Sequence, residues 1–151
     1  MRSDTPQDPD FELRVRDSFA RQTIMQTLGA ELVRVEAGRV DIALAFREDL
    51  TQQDGFLHAG IVGTILDSAC GYAAFSLMPA DAAVLSIEYK VNLLAPARGE
   101  HFIARGIVKR AGRTITVTHG DAIAIADGEE TVVSTMLATM MTIRGRSDIR
   151  G

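Results

Sequence analysis

His58-Ala59-Gly60-Ile61-Val62-Gly63-Thr64-Ile65-Leu66-Asp67-Ser68-Ala69-Cys70-Gly71-Tyr72-Ala73-Ala74-Phe75-Ser76-Leu77 is the stretch that decides the fold. Val62, Ile65 or Leu66, Ala69 and Ala73 recur at helical spacing, and Pro79 supplies a stop, so a helix is predicted from about Ala59 to Met78. At 1.5 Å per residue it would be ~30 Å long, enough to cross a small domain.

On both sides of this helix the apolar period changes to two. Upstream, Val40, Ile42, Leu44 and Phe46 alternate with Arg39, Asp41, Ala43, Ala45 and Arg47, a half-buried strand. Glu31 to Glu36 reads as a weaker strand joined to it across Ala37-Gly38. Before that, Phe11, Val15, Phe19 and Ile24 predict a helix over about 9–28, with Asp8 as N-cap, Pro9 in the first turn and Gly29 as the stop.

Downstream, Ser86, Glu88, Lys90 and Asn92 alternate with Ile87, Tyr89, Val91 and Leu93. Strands follow over His101 to Arg110, Thr114 to Ala126 and Glu130 to Ile143, separated by turns at Ala111-Gly112-Arg113 and Asp127-Gly128. Strands with one apolar face must cover something, and the central helix is the element of the right size. The expectation is an α+β fold, an antiparallel sheet wrapped around a long central helix. It fills a single domain over 1–151, with a flexible tail at 144–151.

The composition fits that reading. The chain has 151 residues, 46% hydrophobic and 24% charged, which excludes disorder as a whole-chain description. Sixteen basic against 20 acidic residues give a net charge of −4, with no basic stripe, so no nucleic-acid partner is expected. One cysteine, Cys70, excludes an intrachain disulfide framework and a multi-thiolate zinc site. His58, His101 and His119 fall in different elements with no short ligand spacing, so no metal and no cofactor are expected. The charge-free run Ser68 to Ala80 falls well short of the ~20 residues of a membrane helix, and Met1 to Asp10 lacks an apolar signal core. No membrane partner and a cytoplasmic location are expected.

Asp67 breaks the apolar logic of the central helix. Gly60, Gly63, Thr64 and Gly71 share its face, and each helical glycine costs roughly 1 kcal/mol against alanine. Such a stripe reads as a recess where a ligand or another chain approaches; the alternative is an exposed aspartate on a solvated face. His58 reads as a general base, a loop-fixing hydrogen-bond donor, a partner of Asp67, or a plain helix cap. Cys70 lies in apolar context and reads as core. The backbone N–H groups of Ala59, Gly60 and Ile61 at the helix start can bind an anion or an oxyanion. Asp67, more than two turns along, cannot easily reach donors at its own helix start, so joint action calls for a second subunit.

The run Gln52-Gln53-Asp54-Gly55-Phe56-Leu57-His58-Ala59-Gly60, followed by Asp67, resembles the PaaI-like and 4-hydroxybenzoyl-CoA-type acyl-CoA thioesterases of the hotdog superfamily. That family carries Asn or Gln six residues before H-G-G and an acid nine residues after the histidine; Gln52, His58 and Asp67 keep all three spacings. Leu85-Ser86-Ile87-Glu88-Tyr89 and Pro96 extend the likeness, which runs from about Phe11 to Ile143. Ala59 replaces the family's first glycine, keeping the N–H and adding a Cβ where the carbonyl would sit.

The resemblance implies a hotdog fold and hydrolysis of an acyl- or aryl-CoA thioester to carboxylate and CoA. It implies Asp67 as general base or nucleophile, the N–H of Ala59 with Gly60 as oxyanion donors, Gln52 and His58 as loop-shaping residues, and Ser86 holding Asp67 or its water. It also implies a homodimer or dimer-of-dimers tetramer with sites at the subunit interface. Lys109, Arg110 and Arg113 are the local cations for CoA phosphates, or an ordinary charged hairpin tip. Two alternatives stand beside this reading: a hotdog hydratase or dehydratase using His58 with Asp67, and a non-catalytic acyl-CoA sensor. For the latter, no DNA-binding domain is expected in the short acidic stretch before the first strand.

Overall fold

The computed structural model describes residues 5–151. Two short helices, α1 (Phe11–Arg21) and α2 (Thr23–Leu28), precede strands β1 (Glu31–Glu36) and β2 (Arg39–Ala45). A 3-10 turn at Glu48–Leu50 leads into the central helix α3 (Ala59–Phe75). Four strands follow: β3 (Ala83–Leu93), β4 (His101–Ala111), β5 (Ile115–Ala126) and β6 (Glu129–Ile143).

All six strands form one antiparallel sheet in the order β1-β2-β4-β5-β6-β3. The hairpins β1–β2, β4–β5 and β5–β6 follow directly from their turns. The chain after α3 instead carries β3 past the others to the far edge, where it pairs with β6 and leaves its second edge open. The sheet curls around α3, whose Ile65, Leu66, Ala69 and Ala73 are fully buried against Ile42, Phe102, Ala122, Met136 and Ala138. This is the hotdog architecture.

The helix lies closest to the sheet over a pair of register partners, Gly106 on β4 and Gly120 on β5. A Cβ on Gly106 would stand 2.3 Å from the Ala69 carbonyl oxygen, and one on Gly120 would stand 2.8 Å from Cys70 Sγ. Only glycine lets backbone and helix approach this far.

Three expectations change in detail. The N-terminal helix breaks at Gln22 (φ −81°, ψ 97°), which resets its phase: Val15, Met25 and Leu28 are buried while Ile24 faces solvent. Asp10, not Asp8, is the N-cap of α1; Asp8 accepts the Asp10 N–H at 2.9 Å and pairs with Arg14 at 3.2 Å. The central helix ends at Phe75, three residues early, because the chain tightens into i→i+3 bonds there, Leu77 N–H to Ala74 O and Met78 N–H to Phe75 O, and a side chain from α1 takes carbonyls at and just beyond the end. The Arg14 guanidinium donates to Phe75 O (3.0 Å), Met78 O (2.8 Å) and Pro79 O, and lies 4.3 Å from the Phe75 ring centre. The tail beyond β6 returns to the body of the molecule, where the Gly151 carbonyl accepts from Arg21.

Candidate active site

The loop before α3 is built by its own polar side chains. Gln52 Oε1 accepts the N–H of Asp54 and of Phe56 (3.3 Å), its amide nitrogen donates to Asp54 Oδ2 (3.1 Å), and its backbone pairs with Phe56. Gly55 turns the chain at φ +81°. The loop then closes on the body through the Leu57 N–H, which donates to Ala97 O, and the His58 N–H, which donates to Leu50 O.

His58 is the N-cap of α3, and its Nδ1 accepts the Gly60 N–H at 2.8 Å. That hydrogen bond requires an unprotonated Nδ1 and takes the Gly60 N–H away from any ligand. The Ile61 N–H is likewise spent, on His58 O. The expected set of three free donors is therefore corrected to one: among the described residues the Ala59 N–H alone of the three has no acceptor. Ala59 lines a cavity of about 380 Å³ together with Gln52, Phe56, Leu57, Val62, Leu93 and Pro96, with further apolar residues of β6 and the β3–β4 loop. Arg98 lies 5.0 Å over the ring of Phe56 at this cavity.

Asp67 lines a separate cavity, of about 480 Å³. Ser86, from β3, donates to Asp67 Oδ1 at 2.7 Å and touches Met140 Sδ at 3.3 Å. Oδ2 of Asp67 has no partner among the described residues. Ser68 and Tyr72 of α3, Ser18 and Arg21 of α1, Gln22 at the break after it, and Arg150 of the tail are among its other walls. Burial, partly offset by a hydrogen bond with Ser18, pushes the Tyr72 phenol pKa up.

The structure thus brings Gln52, His58, Ala59 and Gly60 together, and separately joins Asp67 to Ser86. Eight residues of helix, about 12 Å of rise, separate Ala59 from Asp67. Lys109 and Arg110 lie exposed on β4, and Arg113 lines a third cavity beside Ala74, Leu77 and Gly112, near the C-terminal end of α3. Phe56 and Leu57 line the cavity near Ala59 and Tyr72 lines the one near Asp67, whereas Phe75 is core. The glycine stripe behaves as follows within one chain: a Cβ on Gly63 or Gly71 meets nothing within 4 Å, and one on Gly60 meets only the His58 ring. No helix among the described residues is long and apolar enough to cross a membrane, and no group of three or more His, Cys, Asp or Glu among them could hold a metal.

Residues 54–131 match the model of the thioesterase superfamily. A thioesterase family protein from Silicibacter pomeroyi is 56% identical, with 89% of this chain and 99% of that one superposed at a TM-score of 0.88. The E. coli PaaI protein of the phenylacetic acid degradation operon shares the fold at a TM-score of 0.81 over 92% of this chain and 97% of that one, with 14% identity. A 1,4-dihydroxy-2-naphthoyl-CoA hydrolase from Listeria monocytogenes is 31% identical over 72 residues, 48% of this chain and 58% of that enzyme. The chain belongs to the thioesterase superfamily, with the hotdog fold that its sheet and central helix define.

Proposed function

We propose that this protein is a homo-oligomeric acyl-CoA thioesterase whose active site is assembled from two subunits. The observation that carries the reading is the Asp67 carboxylate, oriented at Oδ1 by Ser86 and left with a free Oδ2 facing a cavity. The Ala59 N–H, at the positive end of a 17-residue helix, is the complementary feature, a donor suited to a thioester oxyanion. The relative named as a CoA hydrolase supports the substrate class.

Asp67 of one subunit takes the proton of the attacking water, or attacks the carbonyl itself. The Ala59 N–H of the other subunit polarises the carbonyl. Gln52 and His58 hold the loop that aims this N–H, with Gly60 bound into the cap. Lys109, Arg110 and Arg113 are assigned to the phosphates of CoA. The open edge of β3 is assigned to the dimer: Leu85, Ile87, Tyr89, Leu93 and Leu94 all stand exposed on or beside it. No observation favours the hydratase alternative. His58 Nδ1 is already engaged by a backbone N–H, and its ring belongs to the end of the helix remote from Asp67.

The test is thiol release from a panel of acyl-CoAs, from acetyl through phenylacetyl to palmitoyl. The Asp67→Asn protein keeps shape but loses charge, and its kcat is expected to fall by about 10²–10⁴. A folded, oligomeric variant at near wild-type rate would overturn the mechanism. A wild type that binds acyl-CoA without releasing thiol would return the sensor reading.

A further inference from the structure

The wall of the Asp67 cavity contains a residue that no motif of the sequence marks. Gln22 occupies the break between α1 and α2, and its backbone is pinned there: its N–H donates to Phe19 O at 3.0 Å and its carbonyl accepts from Met25 at 3.0 Å. The side chain reaches α3, where Gln22 Oε1 accepts the hydroxyl of Ser68 at 3.1 Å. Ser68 is buried and adjoins Asp67. With the oxygen fixed, the amide N–H₂ is the remaining end of Gln22; it has no acceptor among the described residues, and Gln22 lines the same cavity as Asp67. The cavity therefore carries an orphan acceptor, Asp67 Oδ2, and an orphan pair of donors. Both groups line this one cavity, and a water molecule bonded to each would satisfy them.

We propose that Gln22 holds the attacking water against Asp67, an assignment that rests on the hydrolase reading above. The amide N–H donates to the water oxygen while the water donates one hydrogen to Asp67 Oδ2. The water oxygen then forms the new bond to the thioester carbon, and its proton passes to Asp67. The tetrahedral intermediate collapses by breaking the carbon–sulfur bond, and the CoA thiolate leaves with the proton from Asp67. Acid and thiol are the products, and no further reactant is needed.

Three full-length variants test this by thiol release, with thermal midpoint and sedimentation measured on each. Gln22→Met removes both polar ends at similar volume. Gln22→Glu keeps an oxygen for Ser68 and removes the donors. Ser68→Ala frees Gln22 while leaving its donors in place. Both Gln22 variants are expected to lose roughly 10–100-fold in kcat with KM within about twofold, the size of effect expected when a reacting group is misplaced. In added hydroxylamine their product should shift from acid toward hydroxamate, because the outside nucleophile competes with a water no longer held. Ser68→Ala is expected to lose less than either. Should Gln22→Met fail to fold, Gln22→Glu decides. Wild-type kcat and partition in Gln22→Glu, or equal losses of rate and thermal midpoint in Gln22→Met and Ser68→Ala, overturn the assignment and reduce Gln22 to a structural tie. An active wild type is the control that separates this failure from failure of the hydrolase reading, since a wild type without thiol release overturns both.

Discussion

The thiol of Cys70 lies over Gly120 with Leu66 beside it, and burial pushes its pKa up to about 12, only partly opposed by a hydrogen bond with Thr118. Thiolate, not thiol, reacts with alkylating agents. Iodoacetamide at pH 8 is therefore expected to leave the native protein unmodified and to label one cysteine after denaturation; mass spectrometry checks this, and rapid native labelling would contradict it. The linkage has a definite sign. The unfolded thiol ionises near 9 and the folded one near 12, so the unfolded state alone loses a proton between them. The stabilisation is fully present below about pH 9 and is lost as pH rises toward 12.

At this same scale, the pattern of the sequence singles out Asp67, as a charge in an otherwise apolar helix, and His58, at the start of that helix, whereas Gln52 and Ser86 come only from the family resemblance. The pattern could not assign the Gly60 N–H, since whether His58 caps that group or leaves it free is a matter of side-chain rotamer. Gln22 was illegible for another reason. Ala20-Arg21-Gln22-Thr23 contains neither proline nor glycine, so nothing in it announces a helix break.

Among the elements, α3 and the sheet meet at Gly106 and Gly120, and the two classes of glycine in this chain can be told apart by substitution. Gly106→Ala would drive a methyl group into the Ala69 carbonyl, where neither backbone can yield without moving the helix. Overpacking of this kind costs about 3 kcal/mol, at the upper end of its usual range. A lowered urea midpoint is the expected reading, and an unchanged one would contradict the close approach. Gly63→Ala meets open space within the chain, so a matching loss there is not expected. The period of two revealed all six strands and the turns revealed three hairpins. The β2–β4 and β3–β6 pairings had no local signal, because each joins segments separated by other elements, and only burial of a common helix selects them. The glycine contact on β4 and β5 was hidden for the same reason.

For the whole molecule the exposed face of β3 is the feature to explain. An edge strand with unpaired backbone groups and a run of apolar side chains is a template for pairing with another chain. Ile87 and Tyr89 are 51% and 48% exposed in the single chain. Replacing both with glutamate is expected to place two charges on each side of a dimer seam while leaving the core untouched. Sedimentation should then report a species of the chain's own mass, 16.3 kDa, and thiol release should vanish with the dimer. A monomer that keeps wild-type turnover would refute the shared site.

The separation of Ala59 from Asp67 along one helix has a genetic consequence. Proline is at home at the first position of a helix, and His58 already holds the extended conformation (ψ 137°) that a following proline asks for. Ala59→Pro thus deletes the N–H while leaving the helix intact, and by itself should be as silent as Asp67→Asn. In the proposed shared site the two lesions lie in opposite halves. When the two inactive proteins are unfolded together and refolded as a mixture, random pairing makes half of the dimers hybrids, and each hybrid owns one site with no lesion. Two dead alleles should together recover about a quarter of wild-type activity, the share set by two-fold symmetry.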